Sequence, residues 1–173
     1  MSNSIATAIP VHSSTSVRAL SHTLFGTSPD PALTIARFAL GAAILPHGAQ
    51  KLLGWFGGYG FTGTMHWFTE TMHIPWIFGF AAILAETAGG FALLAGLASR
   101  AAALGVGAIY LTAIVTVHGQ HGFFMNWFGN QQGEGIEYFI LGLALVAVVA
   151  IRGGGAASLD LWLARRLASG GAR

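Results

Sequence analysis

The stretch that decides the fold is LTIARFALGAAILPHGAQKLL, residues 33–53. It is long enough to cross the hydrocarbon core of a bilayer, which takes roughly 20 largely apolar residues. It also contains three ionisable residues, Arg37, His47 and Lys51. A charge in hydrocarbon costs about 3 kcal/mol on insertion scales and survives mainly where neighbouring helices pair it or use it. We therefore predict a membrane helix whose polar residues face other helices.

The composition of the whole chain is typical of a membrane protein. Its 173 residues are 54% apolar and 8% charged, whereas a soluble domain carries about 25% charged residues. Eight basic residues give a formal net charge of +2, which is too little for a nucleic-acid-binding face, so no nucleic-acid partner is expected. Because the chain has no cysteine, disulfides, thiolate metal sites and thiol catalysis are excluded.

Three more apolar stretches follow the first. They are the predicted spans two to four, residues 76–98, 101–117 and 136–151. Ser99 and Arg100 alone separate spans two and three, which forces these spans into an antiparallel hairpin. The predicted fold is an all-α integral membrane protein, a bundle of four transmembrane helices.

The predicted organisation has three parts. Residues 31–152 form the membrane domain, and residues 1–30 form a flexible cytoplasmic tail without a cleaved leader, because polar residues interrupt every short apolar run there. Residues 153–173 form a second cytoplasmic tail, in which leucines and a tryptophan beside Arg165 and Arg166 resemble an amphipathic helix at the inner surface. A frayed tail that touches lipid explains this composition equally well.

The first outer connection, residues 54–75, has helical periodicity. Met65, Phe68 and Met72 repeat at i, i+3 and i+7, with Trp67 beside them. A helix with one apolar face of this kind lies in the plane of the membrane interface. We predict a short interfacial helix in this connection.

Basic residues fix the orientation, because cytoplasmic loops are enriched in Lys and Arg. The connections 54–75 and 119–135 contain no Lys or Arg. The opposite ends of the spans are flanked by six arginines, Arg18, Arg100, Arg152, Arg165, Arg166 and Arg173. Both termini are therefore predicted on the cytoplasmic side.

The ionisable residues of spans one and two lie at depths that suggest a pair. Around the axis of span one, Lys51 lies about 40° and His47 about 80° from Arg37, so the three share one stripe. Glu86 is about 15 Å from the outer end of span two, near the bilayer centre, and Arg37 is about 8 Å from the inner end of span one. We predict an intramembrane Arg37–Glu86 ion pair. A proton-carrying or ligand-binding Glu86 is the alternative.

Polar residues also gather at the predicted outer end. His118 and His121 are three residues apart, a spacing that places two imidazoles on one metal when the helix persists. Gly119 and Gly122 interrupt that helix, so these are weak candidates and no metal is predicted. A haem held by His47 and a histidine of span three is not expected either. The whole group is a ligand site or a lid of mutually paired polar residues, His47, Lys51, His118, His121, Glu134 and Glu137.

Aromatic residues crowd the second outer connection. They are interface anchors or the entry for a flat apolar ligand such as a quinone, and the residues themselves leave both interpretations open. The residues concerned are Phe123, Phe124, Trp127 and Phe128.

Several motifs, taken in order, resemble the DoxX family of small bacterial membrane proteins. The resemblance runs from about residue 31 to residue 151, and the motifs are specific together although each alone is weak. They are RFALG at 37–41, HGAQKL at 47–52, GWFGG at 54–58, Glu86 ahead of Gly89 and Gly90, His118, and GIEY at 135–138.

The resemblance implies a four-helix bundle in the bacterial cytoplasmic membrane. It also implies a redox-associated role, as a subunit of a membrane oxidoreductase that binds a quinone or a small reductant. The chain has no flavin-binding glycine motif and no redox cysteine, so partner subunits, or self-association, are expected. The candidate ligand-binding residues lie in the outer half of the bundle and are His47, Lys51, Glu86, His118 and Glu137.

Two functions of other classes stay open. One is a small oligomeric transporter or permeation protein that uses Arg37 and Glu86 as a gate. The other is a structural membrane subunit with no chemistry of its own, in which the charges specify helix packing.

The orientation leads to a labelling prediction. Cysteines introduced as Ser2→Cys and Ser169→Cys should not react with an impermeant reagent added to intact cells, because the flanking arginines keep both termini inside. Gly60→Cys and Asn130→Cys should react. The reverse pattern would overturn the topology.

Overall fold

The computed structural model describes residues 24–170. Most of the predicted N-terminal tail, together with Arg18 and Arg173, lies outside these residues. Within them every regular element is helical and no strand occurs, which confirms the predicted all-α fold. The α-helices are α1 (Pro31–Leu53), α2 (Gly60–His66), α3 (Trp76–Ala95), α4 (Ser99–Ala113), α5 (Glu137–Arg152) and α6 (Leu159–Gly170).

Within residues 24–170, three segments are long and apolar enough to cross a membrane. They are α1, α3 and Ser99–His121, in which α4 continues through a wider π turn, Ile114–His118, and a 3-10 turn. They confirm three of the predicted spans. Helix α5 has 16 residues, fewer than the roughly 20 that a membrane helix needs, so the fourth crossing stays a prediction.

Helix α1 begins and ends at sequence caps. Oδ1 of Asp30 accepts a hydrogen bond from the N–H of Ala32 at 2.9 Å, as the side chain of an N-cap residue does. Pro31 occupies the first turn, where its missing N–H costs nothing. The helix ends at Gly54, whose φ of 74° lies in the left-handed region that suits glycine.

Glycines bring α1 and α3 into close contact. A Cβ on Gly48 would lie 2.7 Å from Oγ1 of Thr87, and a Cβ on Gly90 would lie 3.1 Å from Cβ of Leu45. Small residues of this kind let membrane helices approach closely. The two contacts also fix the antiparallel register, because residue 48 lies opposite residue 87 and residue 45 opposite residue 90.

The core lies where α1, α3, α4 and α5 meet. Helix α5 contributes three of the buried side chains, so it belongs to the bundle. The core residues are Leu40, Ile44, Leu93, Ala103, Val106, Tyr110, Phe139, Val146 and Val149.

The first connection folds back on α3. Helix α2 runs into a π turn, Trp67–Thr71, and Met65 and Phe68 are buried against Ile83 of α3. The apolar residues that predicted an interfacial helix therefore pack partly on the bundle. A helix does form here, and its position at the membrane interface stays a prediction.

The two ends of the bundle differ in what they contain. We call the end where residues 54–75 and 119–136 connect the helices the loop end. The terminal end is the opposite one, where α3 turns into α4 and α5 leads to α6. The loop end holds the candidate site, and the terminal end holds a set of buried caps.

Arg37 of α1 is buried at the terminal end and donates to backbone carbonyls. Its Nη1 donates to the carbonyls of Leu93 and Leu94, the second at 2.7 Å. Its Nε donates to the carbonyl of Gly154 at 2.8 Å and its Nη2 to that of Ala157 at 2.6 Å. The last carbonyls of a helix lack intrahelical partners and carry partial negative charge. Arg37 therefore caps α3 and ties it to α1 and to the segment before α6.

Asp160 of α6 caps α4 from outside that helix. Its Oδ1 accepts from the N–H of Ala98 at 2.7 Å and its Oδ2 from that of Ser99 at 2.9 Å. Its own N–H donates to the carbonyl of Gly96 at 2.8 Å. The side chain is buried, so it replaces the water that would otherwise satisfy these N–H groups.

The segments that flank the four core helices in sequence are held at the terminal end. Arg100 donates to the carbonyl of Gly26 at 2.9 Å, and the N–H of Gly155 donates to Oγ1 of Thr27 at 2.8 Å. Beyond them α6 forms a helix with exposed Trp162, and Cζ of Arg166 lies 5.2 Å from the centre of its ring. Contact of α6 with a membrane surface stays a prediction.

Replacing Asp160 should test the buried cap. Asp160→Ala removes the acceptor of two N–H groups in a buried place, so the free energy of unfolding should fall by about 2 kcal/mol or more. Asp30→Ala is the matched comparison, since it removes one hydrogen bond from a less buried cap, worth about 1 kcal/mol. Unfolding followed by circular dichroism in one detergent measures both losses. A loss for Asp160→Ala no larger than for Asp30→Ala would contradict the assignment.

Candidate functional site

An ion pair joins α1 and α3 near the loop end. Nζ of Lys51 lies 2.7 Å from Oε2 of Glu86 and donates a hydrogen bond to Oε1 at 3.0 Å. The Glu86 side chain is 4% exposed and the Lys51 side chain 27%. Oε2 is buried, and no residue in the described part of the chain gives it a well-directed hydrogen bond. The lysine neutralises the carboxylate but leaves it able to accept further hydrogen bonds.

The predicted Arg37–Glu86 pair does not form, and the α1–α3 register explains why. Because residue 48 lies opposite residue 87, Glu86 faces Ala49. Ala49 is about 18 Å along the axis of α1 from Arg37, at 1.5 Å per residue, which is beyond the reach of an arginine side chain. Lys51 is two residues from Ala49 and takes the place predicted for Arg37. Depths counted from the predicted ends of the spans fail because α1 and α3 do not end at the same level.

A cavity of about 330 Å³ lies beside the ion pair. We call it the polar cavity. Side chains from α1, α3, α4 and α5 line it, and its volume is at the lower end of the range for small-molecule sites. It brings together four of the five predicted site residues, His47, Lys51, Glu86 and His118, and adds Tyr110, Tyr138 and Glu134 to them.

His118 is held at the rim of the polar cavity by the π turn that ends α4. Its Nδ1 lies 2.8 Å from the backbone oxygen of Glu134, and its ring lies 4.5 Å from the ring of Phe139, centre to centre. Because a carbonyl oxygen can only accept, Nδ1 carries the hydrogen, and Nε2 of the neutral ring is then an acceptor. π turns recur at functional sites, since the extra residue redirects the following side chain.

Two tyrosines that were not predicted as site residues form part of the cavity wall. The hydroxyl oxygens of Tyr110 and Tyr138 lie 3.1 Å apart, and Tyr110 is buried. One hydroxyl donates to the other, which leaves one O–H free to donate elsewhere. The available signals were the tyrosine of the GIEY motif and the isolated hydroxyl of Tyr110 in an apolar run, because a buried tyrosine needs a partner.

Glu137, the fifth predicted site residue, faces the second connection instead. Its Oε2 accepts from the N–H of Met125 at 3.2 Å, and Oε2 of Glu134 accepts from the N–H of Asn126 at 2.6 Å. The two carboxylates hold this part of the loop against the polar cavity, whose wall includes Met125. Glu137 therefore shapes the cavity without lining it.

The two histidines that were weak metal candidates have different surroundings. His118 contacts Glu134, whereas the ring of His121 packs on Gly133, where a Cβ would lie 2.6 Å from its Nε2. Among residues 24–170 no group of three or more His, Asp or Glu side chains is arranged to hold a metal.

A larger cavity of about 530 Å³ lies between α3, α4 and the Trp67–Thr71 turn. We call it the apolar cavity, because Ala, Gly, Ile, Val, Met and aromatic residues form most of its wall. A further cavity of about 370 Å³ reaches Lys51 from the first connection. The residues common to the polar and apolar cavities are Lys51, Glu86, Ile109, Ala113 and His118. The ion pair therefore stands at the junction of the two.

The aromatic residues of the second connection are exposed and lie outside the walls of both cavities. Their exposure suits interface anchors. The apolar cavity instead takes its aromatic wall from the first connection and the start of α3, through Trp67, Phe68 and Phe78. The aromatic residues that line a cavity thus lie on the side of the first connection.

Membrane-spanning helices that share a buried ion pair, with cavities on either side of it, define a multi-pass α-helical membrane protein with a polar site inside the bundle. The sequence model of the DoxX family matches residues 32–119, slightly more than half of the chain. The chain belongs to the DoxX family, as its motifs indicate. No curated protein and no solved structure matches it. The matched residues include Arg37, His47, Lys51, Glu86 and His118.

Two double-mutant cycles separate the observed pair from the predicted one. Lys51→Leu should lower the free energy of unfolding by about 3–5 kcal/mol, because it strands a buried carboxylate, and Lys51→Leu with Glu86→Leu should recover much of that loss. Arg37→Leu with Glu86→Leu should instead be additive within about 0.5 kcal/mol. Chemical unfolding in detergent gives all the values. Additivity in the first cycle or coupling in the second would contradict the assignment.

Proposed function

We propose that the protein is a redox-associated membrane subunit that binds a quinone at the Lys51–Glu86 pair. The observation that carries the proposal is the junction of a polar and an apolar cavity at that pair. A membrane quinone has a polar ring, which takes up two electrons and two protons on reduction to the hydroquinone, and a long apolar tail. A ligand of that kind needs both types of cavity, side by side.

The sizes of the two cavities support a quinone over the small reductant that was also considered. The polar cavity, about 330 Å³, suits a substituted ring, and the apolar cavity, about 530 Å³, suits the first part of a tail. A small water-soluble reductant would use the polar cavity and leave the apolar cavity without a role.

The polar residues bind and orient such a ligand. Lys51 and the Tyr110–Tyr138 pair donate hydrogen bonds to ring oxygens, and His47, exposed on the cavity wall, donates or accepts according to its tautomer. Glu86, paired with Lys51, accepts a hydrogen bond inside the bundle. Phe139 packs beside His118 and helps to keep water out.

Electron exchange is assigned to partners. The chain has no cysteine and no flavin-binding glycine motif, so the proposal gives it quinone binding and places the other half of the redox reaction on other subunits. Location in the bacterial cytoplasmic membrane, α5 as a fourth crossing and cytoplasmic termini belong to the same proposal. The arginine distribution supports this orientation, which puts the site in the outer half of the bilayer.

The two alternative functions, a transporter and a structural subunit, differ in how well they agree with the position of Arg37. A transporter gated by an Arg37–Glu86 contact loses its geometric basis, because Arg37 donates to carbonyls at the terminal end. A structural subunit with no ligand remains the competing function, and it predicts that no quinone binds.

Binding of 2-decyl-1,4-benzoquinone to the purified protein in nanodiscs, measured by calorimetry, tests the proposal. Ala113→Phe should abolish binding, because Ala113 lines both cavities at their junction, and His47→Ala should weaken binding about tenfold. Ala101→Phe, on the exposed side of α4, and His66→Ala, at an exposed position of the first connection, are the matched controls and should bind like the wild type. A folded wild-type protein that binds no quinone would refute the proposal.

A further inference from the structure

The hydrogen-bonding character of His118 is fixed by its neighbour. Its Nδ1–H donates to the carbonyl of Glu134 at 2.8 Å. In the neutral ring, Nε2 is then an acceptor only. No residue in the described ranges donates to Nε2, although the ring lines both cavities. A ligand that satisfies this nitrogen has to bring a hydrogen-bond donor.

The Glu86 carboxylate also needs a ligand that brings a hydrogen-bond donor. Paired with the ammonium of Lys51, it is ionised and accepts only. A carboxylate has about four acceptor positions, and Lys51 fills one of them with a directed hydrogen bond. A buried acceptor without a donor loses hydration and gains nothing in return. Here too, a ligand with a donor is favoured.

The polar cavity also presents donors. Lys51 keeps N–H groups that Glu86 does not use, and the Tyr110–Tyr138 pair has one O–H to spare. A ligand oxygen therefore meets donors and acceptors in the same small space. The ligand that satisfies all of them both donates and accepts at each oxygen.

We infer that the site prefers the reduced, hydroxyl-bearing form of its ligand, a hydroquinone, over the oxidised carbonyl form. This inference rests on the quinone-binding function proposed above and names the form that is bound. A quinone oxygen accepts hydrogen bonds from Lys51 and the tyrosines but has no hydrogen to donate to Glu86 or His118. A hydroquinone hydroxyl accepts the same hydrogen bonds and also donates one to Glu86 or His118. No electron transfer is part of the inference, because it concerns binding alone.

The test compares three probes that share the ring and the decyl tail. Under anaerobic conditions, 2-decylhydroquinone should bind about tenfold tighter than 2-decyl-1,4-benzoquinone, the difference expected from one well-made hydrogen bond to a charged acceptor. The dimethyl ether of the hydroquinone keeps the reduced ring but has no O–H, so it should bind no better than the quinone. Calorimetry with wild-type protein in nanodiscs gives the three dissociation constants.

Two variants identify the acceptors. Glu86→Gln adds an amide donor for a carbonyl oxygen, so the hydroquinone preference should fall to about threefold or less. His118→Phe should reduce the hydroquinone preference by a similar factor. Because this variant leaves the Lys51–Glu86 pair intact, it provides a second test that does not depend on the folding of Glu86→Gln. Glu70→Gln, an exposed glutamate of the first connection, is the matched control and should keep the wild-type ratio.

The outcomes separate this inference from the proposed function. Quinone and hydroquinone that bind with equal affinity would overturn the inference and leave quinone binding in place. A wild-type ratio that both Glu86→Gln and His118→Phe leave unchanged would also overturn it. Failure of all three probes to bind would remove both.

Discussion

The close approach of α1 and α3 at Gly48 and Gly90 is the constraint on which the rest of the structure depends. It sets the axial offset between the two helices, and this offset determines which charged side chain of α1 lies next to which group of α3. Lys51 reaches Glu86 near one end, and Arg37 reaches the last carbonyls of α3 at the other. A side chain on Gly48 would push against Thr87 and shift both sets of contacts. The packing of the two backbones thus determines where the charged side chains of the polar site lie.

Buried polar groups serve two different purposes in this bundle. At the terminal end, Arg37 and Asp160 have backbone partners for their hydrogen-bonding groups, so they rigidify the turn between α3 and α4. At the loop end, Glu86 and His118 keep acceptor capacity that the described residues leave unused. Arg37 and Asp160 use their hydrogen-bonding groups to hold the fold, whereas the spare acceptor capacity of Glu86 and His118 faces cavities that a ligand can enter. This difference separates the structural cluster from the candidate site.

The sequence predicts the helices, three of the spans and the family, because these depend on local apolar patterns and short motifs. It also predicts four of the residues that line the polar cavity, His47, Lys51, Glu86 and His118. It misses the partner of Glu86, because helical periodicity gives the face of a residue and not the axial offset between two helices. It misses the role of Asp160 as well, since nothing near that residue indicates an acceptor role for N–H groups 61 and 62 residues earlier. Glu137 was misplaced because a side chain in the first turn of α5 can face either the loop or the cavity.

The turn between α3 and α4 is closed by residues from opposite ends of the described chain, Arg37 and Asp160. During synthesis, the residues of the α3–α4 hairpin are all added before residue 160. Until that residue arrives, the N–H groups of Ala98 and Ser99 depend on water or lipid headgroups for partners. Insertion of the helices and final locking of the bundle are therefore separate events in time. A nascent chain that stalls between them has both members of the Lys51–Glu86 pair but lacks the Asp160 cap on the turn between α3 and α4.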